Sequence, residues 1–557
     1  MIRHWKVNNF KSIRYEMDYL EFAPITLFAG ANSSGKSSVL QSIMVLMQTI
    51  ASRVDASLLL NGELLSLGTV KDVWHNGNLR VRNSPVSLDY AIEMDDPDVD
   101  DGRLQFEFLF MPVEDTKVRL YQSICRRQYS PDSAPIEVIA ELYDYDYRLT
   151  RVHGVVQNEI SEEIRHAGFI LRDKLIEGAV TTMEGLFPSF VYLSVDRTRE
   201  DLNWDIALVD PNDPRITAED LKASIDNNYQ KVLKKAAKKL GLPDVYERGQ
   251  HNRERMLIHN LGDYREWFGS LPNRVVVALQ EYLRKELKEL LVTDEVLWPI
   301  RFVDTARARF ENFFLHNIRY LSANRMAPTV IFSPDISSQW SEVGINGANV
   351  ASALQTYGFH SITWYDPLEL ENRETSLFEA VATWLQFLGI IDDVHTEDRG
   401  KLGTMLTIRM GGIDQALDLT SVGFGTSQIL PIIVQGLLTP PGGVFIVEQP
   451  EVHLHPSVQA QLALFFVALT RAGVQCIIET HSEHLVNQFR VFIAGRKHMP
   501  NDQIKIYFAE RDREIGTYFH EIELDRRGNI KNWPRGFVDE SVRQAEIMLE
   551  AILSEEE

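Results

Sequence analysis

One segment near the N-terminus constrains the fold more than any other. Residues 28–38 read Phe-Ala-Gly-Ala-Asn-Ser-Ser-Gly-Lys-Ser-Ser. Residues 30–37 fit the pattern G-x-x-x-x-G-K-[ST], the Walker A motif or P-loop. The apolar run 25–29 before it is typical of a buried strand, and apolar residues at helical spacing follow over 39–50. The motif therefore lies in the strand–loop–helix context that it requires, and it predicts binding of a nucleoside triphosphate.

The motif predicts a contact for each of its key residues. Gly30 and Gly35 let backbone N–H groups converge on phosphate oxygens at the positive end of a helix. Lys36 is expected to reach the β- and γ-phosphates, and the Ser37 hydroxyl is expected to bind Mg²⁺. The predicted nucleotide-binding residues of this segment are Gly30, Asn32, Ser33, Ser34, Gly35, Lys36, Ser37 and Ser38. ATP and Mg²⁺ are the expected cofactors.

The composition is that of an ordinary globular protein. The chain has 557 residues, of which 44% are hydrophobic and 24% charged, which leaves room for about three or four domains. No apolar run approaches the roughly 20 residues that cross a bilayer, so no membrane contact is expected. Two cysteines, Cys125 and Cys476, exclude a disulfide framework, and the N-terminus lacks a secretory pattern. A cytoplasmic location is expected.

The pattern along the chain predicts three regions. Residues 1–150 are predicted to form an N-terminal ATPase lobe with the P-loop and an antiparallel sheet, because short apolar runs alternate with turn residues there. Residues 151–316 are predicted to be a helical insert, and residues 317–557 a C-terminal ATPase lobe.

The insert carries one basic cluster, Lys231, Lys234, Lys235, Lys238 and Lys239. It is either a solvated helix face or a contact to phosphate or to an acidic partner. The net charge of −22 repels DNA on average, so any binding of DNA or RNA would need such a local patch.

The C-terminal region carries a second set of motifs. Residues 421–428, Ser-Val-Gly-Phe-Gly-Thr-Ser-Gln, precede a helical pattern. The apolar run 444–447 is typical of a buried parallel strand and ends in Glu-Gln-Pro-Glu at 448–451. Another buried strand, over 476–478, ends at Thr-His-Ser, residues 480–482.

These motifs, in this order after a long insert, resemble the head of ABC-type ATPases. They resemble more closely the RecF, SMC and OLD branch, in which an insert splits one head. The phrases Glu-Gln-Pro-Glu-Val-His-Leu-His-Pro (448–456), Glu-Thr-His-Ser-Glu-His-Leu (479–485) and Gly-Asn-Ile-Lys-Asn-Trp-Pro-Arg-Gly-Phe-Val-Asp-Glu (528–540) are similar to a bacterial group of AAA-type ATPases in antiphage systems. PtuA-type ATPases of Septu systems and retron-associated ATPases are of this kind. The resemblance implies an α/β fold, a P-loop ABC-type ATPase head split by a largely helical insert.

The resemblance also implies further site residues. The signature segment would supply anion ligands to the γ-phosphate bound by a second copy, through Ser421, Gly423, Gly425 and Ser427. A composite site of this kind requires at least a homodimer. Lys11 and Ser12 would lie near the ribose or adenine. Glu448 would hold Mg²⁺ through its water shell, and His481 would sense the γ-phosphate.

The sequence departs from the ABC pattern at Gln449, where such heads usually carry a glutamate that polarises the attacking water. A glutamine amide can orient water but cannot accept its proton. Glu448 likewise replaces the usual aspartate with a longer side chain. We therefore expect slow hydrolysis and a long-lived ATP state, with Glu451 as an alternative base. The candidate catalytic residues are Glu448, Gln449, Glu451 and His481.

Two other chemistries have weaker signals. His453 with His455, and His481 with His484, have loose zinc-ligand spacing but no cysteine beside them. OLD-type chains carry a TOPRIM nuclease built on a glutamate and an Asp-x-Asp pair, and no Asp-x-Asp accompanies Glu510 here.

The expected function is an ATP-dependent sensor or regulator in bacterial antiviral defence that controls a separate effector, such as an HNH nuclease. One rival is a DNA repair or chromosome-maintenance ATPase of RecF type. The other is an enzyme that is itself a nuclease.

Overall fold

The computed structural model describes residues 1–14, 18–54, 56–75, 80–81, 84–99, 101–143, 146–153, 180–194, 235, 238–239, 246–248, 254–256, 295–299, 301–333, 339–411, 413–495, 500–512, 516–532, 534, 544 and 547–548. The strands of these residues, numbered in chain order, are β1 Ile2–Asn8, β2 Leu20–Glu21, β3 Ile25–Gly30, β4 Arg80–Val81, β5 Ser84–Pro85, β6 Leu88–Asp95, β7 Arg103–Glu114, β8 Lys117–Gln128, β9 Ile136–Tyr143, β10 Asp146–His153, β11 Val180–Glu184, β12 Phe187–Ser194, β13 Tyr246–Arg248, β14 Glu254–Met256, β15 Glu295–Pro299, β16 Ile318–Leu321, β17 Ile331–Phe332, β18 Ser361–Asp366, β19 Glu371–Ser376, β20 Asp393–Asp398, β21 Thr404–Met410, β22 Ile413–Asp418, β23 Val444–Glu448, β24 Gln475–Glu479, β25 Ile504–Asp512 and β26 Gly516–Glu521. Their helices are α1 Lys36–Ser52, α2 Val70–Val73, α3 Arg301–Asn312, α4 Val350–Tyr357, α5 Leu377–Phe387, α6 Phe424–Leu438, α7 Pro456–Arg471 and α8 Glu483–Gly495, with a π-helix at Phe313–Asn317 and 3₁₀ turns at Gly400–Leu402, Leu419–Ser421 and Asn501–Gln503.

A six-stranded sheet with the order β16-β23-β24-β3-β25-β26 organises the site. Its neighbouring strands run parallel, except for the antiparallel edge pair β25 and β26. The strands are short apolar runs buried along almost their whole length, as expected for a parallel sheet that is covered on both faces. The P-loop strand β3 lies beside β24, and β24 separates it from β23.

Alternate residues of β3 face opposite sides of this sheet. Ile25 and Leu27 join a large apolar cluster that includes residues of helices α4 to α8. Phe28 faces the other side and stacks on Tyr507 of β25, with 5.7 Å between the ring centroids. Each such buried side chain contributes about 1.5–3 kcal/mol to the free energy of unfolding.

Helix α1 lies between the parallel sheet and an antiparallel sheet. Trp5 of β1 donates its indole N–H to Ser42 Oγ at 3.0 Å, and Tyr90 of β6 donates its hydroxyl to the Ser42 carbonyl at 3.3 Å. Most residues of α1 are buried. The antiparallel sheet therefore holds the helix that carries Ser37 and Ser38.

The N-terminal strands are antiparallel, as the alternating sequence pattern predicts. Strands β1, β2, β6 and β7 pair antiparallel, and every second residue of β7 is buried over most of its length. Further along the chain β9 and β10 also pair antiparallel.

Contacts within the chain divide it into two units. The first consists of Met1–Ser123, Tyr129–Pro131 and Ala306–Glu557, and it contains the parallel sheet. The second consists of Ile124–Gln128 and Asp132–Thr305. Five of its described strands follow the order β9-β10-β11-β12-β15, and β13 and β14 pair separately.

The predicted insert, residues 151–316, lies largely outside the described residues, as do Lys231 and Lys234 of the basic cluster. The predicted boundaries at 150 and 316 stay a prediction. In the part of the chain that is described, no helix is both long and apolar enough to cross a membrane.

Candidate nucleotide-binding site

The P-loop has the backbone geometry that its glycines predict. Gly30 ends β3 with φ +143°, and Gly35 caps α1 with φ +102°, a region that favours glycine. A Cβ at Gly30 would lie 2.5 Å from the Ala509 carbonyl oxygen, and one at Gly35 would lie 2.2 Å from Thr517 Oγ1. Both positions therefore exclude a side chain, and the loop closes tightly at the N-terminus of α1.

Lys36 folds back over this loop. Its Nζ donates hydrogen bonds to the carbonyls of Gly30 at 3.0 Å and Ala31 at 2.7 Å. Burial lowers its pKa, although Glu479 and Glu451 oppose that shift. Ser34 is also buried, and its hydroxyl oxygen has no hydrogen-bond partner. The loop thus holds a cation and a free hydroxyl close to its own backbone.

The structure places Lys11 and Ser12 beside the first turns of α1. Lys11 Nζ donates to Gln41 Oε1 at 2.6 Å, and the Ser12 and Ser38 hydroxyls are 3.1 Å apart. Thr517 of β26 joins the same group, because its N–H donates to the Ser12 carbonyl at 2.7 Å. The contact of Lys11 and Ser12 with a ribose or adenine stays a prediction.

Two glutamates end neighbouring strands next to the P-loop. Glu448 of β23 and Glu479 of β24 are direct partners in the parallel register. Glu479 Oε1 accepts a hydrogen bond from Ser37 Oγ at 3.0 Å, although the two residues lie 442 positions apart. Burial, followed by the charge of Glu448, raises the pKa of Glu479 to about 7.

Glu448 has different partners. It accepts hydrogen bonds from the Ala323 N–H, at 3.4 Å, and from the Tyr320 side chain. Burial raises the pKa of Glu448 as well. Both of these partners belong to β16 or to the loop after it, on the far side of β23 from the P-loop.

Gln449 occupies a constrained position after β23. Its φ is +44°, which is uncommon for a residue with a side chain. Its N–H donates to the Glu479 carbonyl at 2.7 Å. Arg325 donates from Nη2 to the Gln449 carbonyl at 2.6 Å and from Nη1 to the Glu448 carbonyl at 2.9 Å. These bonds fix the chain where it leaves the sheet.

Arg325 was not found from the sequence. It is buried, and burial lowers its pKa to about 10. Its partners are backbone carbonyls, which any residue type supplies, so no side-chain pattern could have indicated this contact. Glu479 was also missed, although its position at the end of an apolar strand, like that of Glu448, was a usable signal.

Glu451 joins the two strand ends. Its Oε1 accepts from the His481 N–H at 2.6 Å, and its Oε2 accepts from Thr480 Oγ1 at 2.8 Å. The carboxylate is buried, and burial raises its pKa. Both oxygens therefore already accept a hydrogen bond from the segment that carries His481.

His481 lies at the mouth of the P-loop. Its ring interacts with the Gly30 carbonyl, which raises its pKa, but loss of hydration and the charge of Lys36 lower the pKa overall. Much of the residue is nevertheless open to solvent. A neutral imidazole at this place can donate a hydrogen bond to a phosphate oxygen.

The signature segment forms the start of α6. Gly423 is its N-cap, and Ser421 and Gly423 are exposed. Ser421 donates its hydroxyl to Asp418 at 3.3 Å, and Ser427 donates its hydroxyl to the Phe424 carbonyl at 2.7 Å. A Cβ on Gly425 would lie 2.8 Å from the His453 carbonyl oxygen. The contact of this segment with a second copy stays a prediction.

The described residues contain no group of three or more His, Cys, Asp or Glu side chains placed to hold a metal ion. His453 instead packs edge-on against Phe424, and His455 Nδ1 lies 2.8 Å from Ser457 Oγ. A magnesium ion that accompanies ATP needs fewer protein ligands, because phosphate oxygens and water supply most of its ligands.

The residues at the P-loop fit such a complex. The loop N–H groups and Lys36 suit phosphates, and Ser37 with a buried carboxylate suits a small divalent cation. One oxygen of that carboxylate, Glu479 Oε2, is buried without a hydrogen-bond partner.

Two family models match parts of the chain. Residues 350–487 match the family described as "AAA domain, putative AbiEii toxin, Type IV TA system", and residues 499–547 match "Protein of unknown function (DUF3696)". No curated protein matches the chain.

Smc head domains are among the solved structures similar to the chain. One is from Pyrococcus furiosus and is bound to the C-terminal domain of ScpA, with 12% identity, 99% of each chain covered and a TM-score of 0.32. Another is the SMC head domain from Thermotoga maritima, with 8% identity, 94% of this chain and 99% of that chain covered, and a TM-score of 0.32.

The central sheet and its P-loop form an α/β P-loop fold, and the AAA match covers the chain from α4 to the start of α8. The similarity to PtuA-type ATPases stays a prediction.

Proposed function

We propose that this chain is a Mg²⁺- and ATP-dependent ATPase that hydrolyses slowly, and that its ATP-bound homodimer controls a partner effector in bacterial antiviral defence. One observation carries the nucleotide part of this proposal. The P-loop serine Ser37 touches the buried carboxylate of Glu479, beside a lysine held over the loop. Phosphates, a divalent cation and its water shell fit that combination.

In this proposal the P-loop residues bind the triphosphate. The N–H groups of the loop surround the phosphates, and Lys36 leaves its two carbonyl partners to bind the β- and γ-phosphates. Ser37 and a carboxylate at the adjacent strand ends would serve the Mg²⁺ ion, which would offset charge on the phosphates. His481 donates a hydrogen bond to the γ-phosphate from the mouth of the P-loop.

Slow hydrolysis follows from the strand end after β23. Gln449 is fixed by backbone bonds at both its N–H and its carbonyl, so its side chain is held near the sheet edge. An amide there can orient water without accepting its proton. Both oxygens of Glu451 already accept hydrogen bonds, which favours a positioning role for Glu451 over a role as substitute base.

The homodimer is proposed from the signature segment. Ser421 and Gly423 are exposed at the start of α6, where hydroxyl and N–H groups can bind an anion. An isologous pair of heads is the simplest symmetric arrangement. Mass measurement with ATP and micromolar protein is expected to give a dimer, and a monomer under those conditions would contradict this part.

The defence role comes from the resemblance to antiphage ATPases and from the matched AAA family, whose description names a toxin of a toxin–antitoxin system. In this role the long-lived ATP dimer keeps an effector such as an HNH nuclease silent until the nucleotide is lost. Co-expression with neighbouring genes should protect cells against phage, and Lys36→Ala should remove the protection.

The purified chain tests the biochemical part. We expect binding of ATP by calorimetry and turnover far below that of ordinary ABC ATPases. Strong stimulation of the ATPase by DNA without a partner would favour a RecF-type repair role instead. Metal-dependent cleavage of DNA by the purified chain would show that it is itself a nuclease.

A further inference from the structure

Glu479 has a feature that the proposed function does not use. Its side chain is 3% exposed, and its Oε2 is buried with no hydrogen-bond partner. A buried polar oxygen left without a partner costs free energy, so natural proteins rarely keep one without a reason. A bound cation is a partner that would satisfy it.

The other oxygen of Glu479 lies where a cation ligand should be. Oε1 is 3.0 Å from Ser37 Oγ, the hydroxyl that a P-loop offers to Mg²⁺. The hydrogen bond therefore already places a hydroxyl and a carboxylate oxygen, two kinds of ligand that Mg²⁺ accepts, side by side.

Glu448 is less well placed for the same ion. It is one strand further from β3, and neighbouring strands are roughly 4.8 Å apart. Its carboxylate accepts hydrogen bonds from Ala323 and Tyr320, on the side away from the P-loop. Moving toward Ser37 would break these bonds, whereas Glu479 needs no such movement.

The balance of charge supports a cation here. Three carboxylates, those of Glu448, Glu451 and Glu479, share this edge with two cationic side chains, Lys36 and Arg325. Lys36 would turn to the phosphates when nucleotide binds, which leaves the carboxylates in need of a replacement positive charge.

We propose that Glu479, together with Ser37, is the protein carboxylate that binds the divalent cation accompanying ATP, directly or through one water, ahead of Glu448. The inference rests on the proposed ATP-binding function. It assigns the cation to the end of β24 instead of the end of β23.

The test compares two matched isosteric variants, Glu479→Gln and Glu448→Gln. The affinity for ATP is measured by calorimetry with Mg²⁺ and with EDTA, and bound Mn²⁺ is followed by electron paramagnetic resonance with ATP present. In the unmodified chain we expect Mg²⁺ to increase ATP affinity. Glu479→Gln should reduce that increase by about tenfold or more and weaken Mn²⁺ binding by a similar factor. Glu448→Gln should keep most of both.

Binding in EDTA separates this effect from misfolding. Glu479→Gln removes a negative charge beside the phosphates, so its affinity for ATP without metal should equal or exceed that of the unmodified chain. If Glu479→Gln does not fold, Glu479→Asp gives the same comparison, because the shorter side chain should still weaken Mn²⁺ binding.

The outcomes distinguish this inference from the proposed function. An equal or larger loss of Mn²⁺ binding in Glu448→Gln would overturn the assignment to Glu479 while ATP binding stands. A lack of ATP binding by the unmodified chain, with or without metal, would overturn the proposed function itself.

Discussion

The ends of β23 and β24 look alike in sequence but differ in their surroundings. Each strand is a short apolar run that ends in a glutamate, and the two glutamates are partners in the parallel register. Glu448 is bonded to the loop after β16, on one side, whereas Glu479 is bonded to the P-loop serine Ser37, on the other. The neighbouring strand, and not the residue type, decides which glutamate meets the nucleotide site.

The segments after these strands differ in the same way. Arg325 braces the backbone after β23 through two carbonyls, and Glu451 braces the segment after β24 through Thr480 and His481. Glu451 itself follows β23, so its hydrogen bonds link the two strand ends. A substitution at one end should therefore affect the other. The acidic residues at this one sheet edge therefore have different roles, which substitutions can distinguish.

Lys36→Ala tests whether a triphosphate binds at the P-loop beside these two strand ends. It removes charge-assisted bonds to two phosphates, each worth about 1.5–3 kcal/mol, so ATP affinity should fall about 100-fold or more. Calorimetry measures this. Lys117→Ala is the control and should keep the affinity, because Lys117 is an exposed lysine of β8 that pairs with Glu114. Unchanged affinity in Lys36→Ala would show the P-loop assignment to be wrong.

Gln449→Glu tests whether the end of β23 is where water is activated. A carboxylate there can accept a proton, and general-base catalysis is worth about 10²–10⁴ in rate, so we expect a gain near 100-fold. ATP affinity should barely change, because the side chain acts on water. Steady-state turnover is the measurement. No gain, together with a collapse of turnover in Glu451→Gln, would move the base to Glu451.

Arg325→Ala should weaken the end of β23 more than the end of β24. It removes three hydrogen bonds of a buried guanidinium, two of them to the end of β23, which should lower the free energy of unfolding by about 2 kcal/mol. Turnover should fall more than ATP affinity, because Gln449 loses its fixed position. Urea unfolding and kinetics measure both. Arg399→Ala, at an exposed ion pair with Glu397, should cost less, and an equal cost would argue against the brace.

Thr480→Val should have the smallest effect and act on the end of β24. It removes the hydroxyl that donates to Glu451 Oε2, which should cost about 1 kcal/mol of stability. Thr470→Val is a matched control, since that hydroxyl bonds within its own helix to the Val467 carbonyl. If the two variants lose equal stability, the hydrogen bond between Thr480 and Glu451 contributes no more than an ordinary hydrogen bond within a helix.

The P-loop and the type of fold are predictable from local sequence alone. The strand, the glycine positions, Lys36, Ser37 and the helix after them are contiguous, and each requires a local conformation that its residue type favours. The alternating pattern likewise predicted the antiparallel strands. The ends of β23 and β24 were found as apolar runs ending in polar residues, because burial in a parallel sheet leaves that trace in a sequence.

Only the tertiary structure decided which of these residues meet. The order of strands places β24 between β3 and β23, and no local pattern encodes that order. Glu479 therefore reaches Ser37 across 442 positions, while Glu448, which the motif had marked, faces another loop. Arg325 lay beyond prediction for a related reason, because it recognises backbone carbonyls that every residue carries. Local chemistry fixes what each segment can do, and long-range packing selects the partner with which it does it.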